Sequence, residues 1–191
     1  MPRPLPDHVL PVPAGWRSRE MASFVAQLDA LSTTMFADLR GITARELAWQ
    51  PRLGANSIGM LLAHIAVVEV WWTLVAQESA SFERLRAVLG IDMDDDGLPL
   101  KPNGRPPAKL RGKTLAYFRK LHDRARAFAR RGTKAFTPAM LDRPFVRTRL
   151  DGRKQRTDRR WIYYHVLEHQ AGHYGQVLLL RHLYRDRRRR G

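Results

Sequence analysis

The sequence predicts an all-α protein: an antiparallel four-helix bundle with a long loop insertion between the second and third long helices. Three observations carry this. Apolar residues recur at steps of three and four through four long segments, capping residues stand where those segments begin, and strand-like alternation is confined to one short stretch. A chain of 191 residues that is 44% apolar can bury a core of its own, so a single domain is expected.

Residues 1–17 read as an extended N-terminal arm, because five prolines fall within the first 15 positions and no helical period is present. The bundle is expected over residues 18–185. From about Ser18 the residues Met21, Phe24, Val25, Leu28, Leu31, Met35, Phe36 and Leu39 form one apolar stripe, and Gly41 supplies the stop. Thr43 with Glu46 is a capping box for a short helical turn ended by Pro51 and Gly54. Asn56 and Ser57 cap the second long helix, whose stripe is Leu61, His64, Ile65, Val68, Trp71, Trp72 and Val75.

Residues 81–89 can form a short helix. Residues 90–107, with three glycines, four prolines and an acidic cluster, have loop composition and form the expected insertion. A third long helix is expected over residues 109–131, with Leu115, Phe118, Leu121, Ala125 and Phe128 inward and arginines outward. Residues 145–150 followed by Asp151-Gly152 suggest a small extended excursion with a hairpin-type turn. Thr157 and Asp158 then cap a fourth long helix, residues 159–185, carrying Trp161, His165, His169, His173, Val177 and Leu180 on one stripe. Residues 186–191 are left as a basic C-terminal tail.

The chain has no Cys, which excludes a disulfide scaffold, thiolate metal ligands and a cysteine nucleophile. No uninterrupted apolar run reaches the roughly 18 residues of a spanning helix, and the prolines near the start replace an apolar leader, so a soluble, cytoplasmic protein with no membrane partner is expected. The formal charge of +16 is unevenly placed. Residues 1–100 hold 8 basic and 12 acidic side chains, whereas residues 101–191 hold 26 and 6. Arginine supplies 28 of the 34 basic residues, a bias that a GC-rich coding background produces as readily as phosphate recognition does.

The informative segment is Tyr164-His-Val-Leu-Glu-His-Gln-Ala-Gly-His-Tyr-Gly-Gln176. His165, His169 and His173 are four apart, and a step of four on a helix turns only about 40° while rising about 6 Å. Neighbouring pairs can therefore share a divalent ion at the usual imidazole distance of about 2.0–2.1 Å. Further ligands must come from elsewhere. His64 sits between Leu61 and Val68, on an apolar stripe where an unpaired imidazole is costly to bury. Taken singly, each of these histidines is more simply a hydrogen-bonded core residue. Their coincidence on two inward faces favours the joint reading, with His64, His169 and His173 as metal ligands and remaining positions open to water.

Two further residues are candidate catalytic groups. His165, one turn before His169, is placed to bond a metal-held water or pass a proton, and Gln176, one turn beyond His173, to hydrogen-bond into the site. Glu168 points about 100° away from His169 and is a partner for an arginine; Glu69, about 140° round from His64, orients another group or caps a helix. Gly172, between two of the histidines, implies a close helix contact or room beside the metal.

The stretch Leu61-Leu62-Ala63-His64-Ile65 with Glu69 and Trp72, together with His169-x3-His173-Tyr174-Gly175-Gln176, resembles the paired signature of the DinB/YfiT-like superfamily of metal-binding four-helix bundles. The resemblance covers roughly residues 18–184. It implies that His64, His169 and His173 bind a divalent metal, in a family that includes thiol-dependent S-transferases and isomerases using low-molecular-weight thiols besides many members of unknown activity; the open three-histidine set itself points to a metal-dependent transferase or hydrolase. Zinc, nickel, iron and manganese all suit imidazole ligands. Such a site lowers the pKa of a bound water or thiol, and with no cysteine in the chain the thiol must be exogenous.

The basic second half would steer a small, anionic substrate. A homodimer is compatible with the fold, since bundles often pair through an outer helix face. Two alternatives are a basic helical nucleic-acid-binding protein, resting on the arginines of residues 153–160 and 187–190 beside Trp161, Tyr163 and Tyr164, and a bundle with a purely structural metal. No recognised nucleic-acid motif accompanies the arginines, so specific nucleic-acid binding is not expected. Asp92-Met-Asp94-Asp-Asp96-Gly97 matches the opening of a calcium loop, but position twelve is Asn103 where the bidentate Glu belongs, so an acidic surface loop is expected.

Overall fold

A computed structural model describes residues 9–190; the first eight residues of the expected arm, and Gly191, lie outside the described residues. Residues 9–17 carry no helix or strand. The chain is mostly helical: α1 (Arg19–Asp38), α2 (Ala44–Ala48), α3 (Ile58–Ala76), α4 (Phe82–Leu89), α5 (Leu115–Thr133), α6 (Pro138–Asp142) and α7 (Arg159–Arg190), with β1 (Phe145–Thr148) and β2 (Lys154–Thr157) as a two-stranded hairpin before α7. The hairpin is antiparallel, pairs Phe145 with Thr157 and Thr148 with Lys154, and turns with Gly152 at φ +80°.

The helix starts follow their caps. The Ser18, Thr43 and Ser57 side chains accept from the backbone N–H groups of Met21, Glu46 and Met60, and Asp158 accepts from Trp161 N–H at 2.7 Å. Thr43 does not complete a reciprocal box, because the Glu46 carboxylate turns instead to Arg181, 3.5 Å away and equally buried. The third long helix begins later than the period implied: residues 108–110 form a 3-10 turn, Gly112 takes φ +70°, and α5 starts only at Leu115. α7 continues through Arg190, so the expected tail is helical from residue 186 to 190.

Cross-helix contacts give the directions of the four long helices. Along α3 and α7, His64 meets His173 and Thr73 meets Tyr163, so the two are antiparallel. α1 and α5 are antiparallel too, with Asp29 on Arg130 and Phe36 on His122. α3 and α5 run the same way, Leu62 meeting His122 and Glu69 meeting Arg126, and so do α1 and α7, where Glu20 meets Arg160 and Asp38 meets Tyr174. The parallel pair α3/α5 follows from the long connection, residues 77–114, which returns the chain to the end at which α3 began.

α3 is the central helix and is buried nearly all round, from Ile58 and Leu61 to Leu74 and Ala76. By length and composition alone it could cross a membrane, which a search for uninterrupted apolar runs misses because His64 and Glu69 divide it. Here it is packed inside the protein, against α5 on one side and α7 on the other. Gly59 allows a close approach: a Cβ there would lie 3.0 Å from the Phe118 ring of α5 and 3.1 Å from the Leu47 carbonyl.

Arginine on α5 is not confined to the outer face. Arg126 is buried and binds Glu69 of α3 (2.5 and 3.2 Å), Asp29 and Ser32 of α1 (2.7 and 3.2 Å) and Gln170 of α7 (3.4 Å). One polar layer thus touches all four long helices. Glu69, expected to orient another group, holds this guanidinium.

Candidate metal centre

A helix buried on every side does not announce which line of residues faces a site. On α3 the half-buried line is His64, Val68, Trp71 and Trp72; on α7 it is His165, His169 and His173, while Ile162, Tyr163, Val166 and Gln170 face the interior. The histidines therefore meet at the edge of the α3/α7 seam, reachable by solvent, and not in the core that the stripes implied. Gly172 meets neither a helix nor the site, as a Cβ there would face open space.

His64, His169 and His173 come together as one group, each able to offer a ligand atom within 4.8 Å of the others. His169 Nε2 stands 3.1 Å from His64 Nε2 and 3.1 Å from His173 Nε2. The outer ring nitrogens are already engaged: His64 Nδ1 lies 2.8 Å from the Asp96 carboxylate, and His173 Nδ1 lies 3.0 Å from Gln176 Oε1. Both partners are acceptors, so each Nδ1 carries the proton and, in the neutral ring, each Nε2 presents a lone pair. His169 Nε2 could donate to one of them at most. Three converging imidazole nitrogens with two or three lone pairs between them suit a cation, and a divalent metal fits this donor set.

Electrostatics keep the group ready for a ligand role. Burial, with the neighbouring imidazoles of His173, His64 and His165 adding to it, pushes the His169 pKa down to about 3, and burial lowers that of His173 as well. Neutral imidazole is the form that binds metal.

Asp96 is the functional residue that sequence reasoning missed. It lies in the segment read as an insertion loop, where Met93–Asp96 form a 3-10 turn packed against α3. Its side chain is almost fully buried; one carboxylate oxygen faces His64 and the other accepts from Leu98 N–H at 2.9 Å. The rest of the acidic cluster points elsewhere: Asp92 pairs with Arg86, and Asp95 with Lys109 and the Asp92 N–H. The carboxylates do not converge as a calcium loop requires.

Gln176 acts on the back of His173 and not on open space. His165 is outside the group of three; its ring is 5.8 Å from that of His169, stacks on Trp161 at 5.1 Å and 7°, lies in a T-shaped contact with Trp72 at 5.0 Å, and its Nδ1 lies 3.1 Å from Glu168. Glu168 thus serves His165, not an arginine. Much of the basic cluster at 153–160 is consumed internally, Arg153 by Asp151, Arg159 by Glu78 and Arg160 by Glu20 and Asp142.

Residues 23–186 match the model of the mycothiol-S-transferase family. No curated protein matches the chain.

Proposed function

This chain belongs to the mycothiol-S-transferase family, within the DinB/YfiT-like superfamily, and we propose that it transfers a low-molecular-weight thiol, mycothiol or a close analogue, to an electrophilic small molecule at a metal centre held by His64, His169 and His173. The observation that carries this reading is the convergence of three Nε2 atoms, two of them backed by acceptors that fix their protons on the far side. A divalent cation bound there supplies Lewis acidity that favours the thiolate at neutral pH. The chain has no thiol of its own, so the nucleophile arrives with the substrate.

The protein's residues then do the following. Asp96 and Gln176 orient the rings of His64 and His173. His165, set between Trp161, Trp72 and Glu168, is the imidazole outside the group of three that is positioned to pass the thiol proton. Carbon–sulfur bond formation consumes the thiolate, and the thiol proton goes to the leaving group or, in an addition, to the adjacent carbon. The three histidines are only half-buried, so solvent and small molecules can reach them, which favours a catalytic over a purely structural metal.

We read the fold that supports this as a four-helix bundle over residues 18–185, a reading supported by the contacts of α1 with α5 and α7 and of α3 with α5 and α7, with one long crossover between α3 and α5. The family match and the burial of α3 support reading the chain as a soluble enzyme. The test is chromatographic. Zinc-, nickel-, iron- or manganese-loaded protein incubated with mycothiol and monobromobimane is expected to form the thioether faster than the chelator-treated protein. Equal rates with and without metal would defeat the proposal.

A further inference from the structure

Arginines around the seam are paired with carboxylates: Arg126 with Glu69 and Asp29, Arg159 with Glu78, Arg160 with Glu20 and Asp142. Arg147, on β1, is an exception. It is half-buried, and two of its nitrogens donate to one uncharged acceptor, Gln155 Oε1 of β2, at 3.0 and 2.6 Å. Its remaining terminal nitrogen has no hydrogen-bond partner, and it makes no ion pair, among the described residues. Asp151, the nearest acid to influence it, is taken by Arg149 and Arg153. Burial and the nearby Arg149 disfavour its charge, yet an arginine stays protonated.

Its position is fixed. The guanidinium lies over the Trp72 ring, 4.4 Å from the centroid. Trp72 makes steeply tilted, edge-type contacts with Trp161 at 5.4 Å and with His165 at 5.0 Å, and His165 is the ring neighbour of His169. An aromatic wall therefore runs from the three-histidine group to a preorganised cation that lacks a counter-ion.

We propose that Arg147 is the specificity-determining residue of the seam, binding the carboxylate of a flat, conjugated electrophile whose body lies along Trp72, Trp161 and His165. Which end of that molecule reacts rests on the transferase reading; the binding of a conjugated carboxylate does not. Gln155 is a positioning residue that holds the guanidinium edge. A planar fork is what makes arginine suited to a carboxylate, and lysine would keep the charge without the fork or the stack.

The probes are cinnamate and its methyl ester, titrated by calorimetry into the full chain, zinc-loaded and chelator-treated. Cinnamate is expected to bind both forms, to lose tenfold or more in affinity with Arg147→Met, to recover part of it with Arg147→Lys, and to be unchanged with Arg149→Met. The ester should bind weakly and alike to all of them. Zinc stoichiometry and thermal unfolding of each variant show whether the hairpin still sits on α3. The proposal is overturned if cinnamate fails to bind the parent protein, if it binds folded Arg147→Met as well as the parent, or if the ester suffers the same loss. Arg147-dependent cinnamate binding without thiol transfer would sink the transferase reading alone; transfer that ignores Arg147 and prefers neutral electrophiles would sink this proposal alone.

Discussion

Replacing Asp96 with Asn keeps the side chain's shape and removes its charge, and the structure indicates how that change reaches the metal centre. The carboxylate has one oxygen on His64 Nδ1 at 2.8 Å and the other on Leu98 N–H at 2.9 Å. Asparagine has one oxygen for these two donors. If Leu98 retains it, the amide N–H₂ faces His64 Nδ1, which must then accept, and the ring proton moves to Nε2, the atom that points at His169. A partner of this kind behind a metal-binding histidine is worth about 10–100-fold in metal affinity, or about 1.4–2.8 kcal/mol. Competition for zinc against a chromogenic chelator at pH 7.5 measures it. Asp95→Asn is the control, since that carboxylate belongs to Lys109 and the Asp92 N–H and does not touch His64. Zinc affinity within threefold of the parent for Asp96→Asn, or an equal loss for Asp95→Asn, would refute the reasoning.

Other consequences can be measured separately. Arg126→Met strands Glu69 in the interior without its cation and should cost about 3–5 kcal/mol of unfolding free energy by urea denaturation; a loss below about 1 kcal/mol would mean the polar layer does not hold the helices together. Gln176→Leu should weaken zinc binding about tenfold or less while leaving the unfolding midpoint of the metal-free protein unchanged. His169 and His122 have folded pKa values near 3 and 4, below the ordinary 6.5, both chiefly through burial. An unfolded chain binds these protons more readily, so each adds stability that is present above about pH 6.5 and lost as pH falls toward the folded value. Thermal unfolding of the metal-free protein between pH 7 and 4 should therefore fall less steeply in His169→Gln than in the parent, and parallel curves would contradict the lowered value.

Helix positions were legible because caps and apolar period act locally: Ser18, Thr43 and Ser57 sit at their helix starts, and Gly41 takes the positive φ expected of a stop. The three-histidine group was legible because spacing of four on α7 needs only one partner helix, and His64 was a polar interruption on the apolar stripe of that partner. Asp96 was not, since its role depends on how residues 90–107 fold back over α3, a tertiary event that loop composition does not encode. The Arg126 layer was hidden for a related reason. An arginine on a basic helix reads as outward until a buried Glu69 on another helix claims it. The burial of α3 on nearly every side also blurred which face meets the site, because a helix packed all round carries little stripe information.

X-ray absorption spectroscopy of the zinc-loaded chain, with metal content determined on the same samples, puts the three-histidine centre to its plainest test. One zinc per chain with three imidazole nitrogens at about 2.0–2.1 Å is expected, falling to two nitrogens or to loss of the metal in His64→Ala and in His169→Ala. Zinc that binds with an unchanged spectrum in both variants, or a parent chain that takes up none, would contradict it.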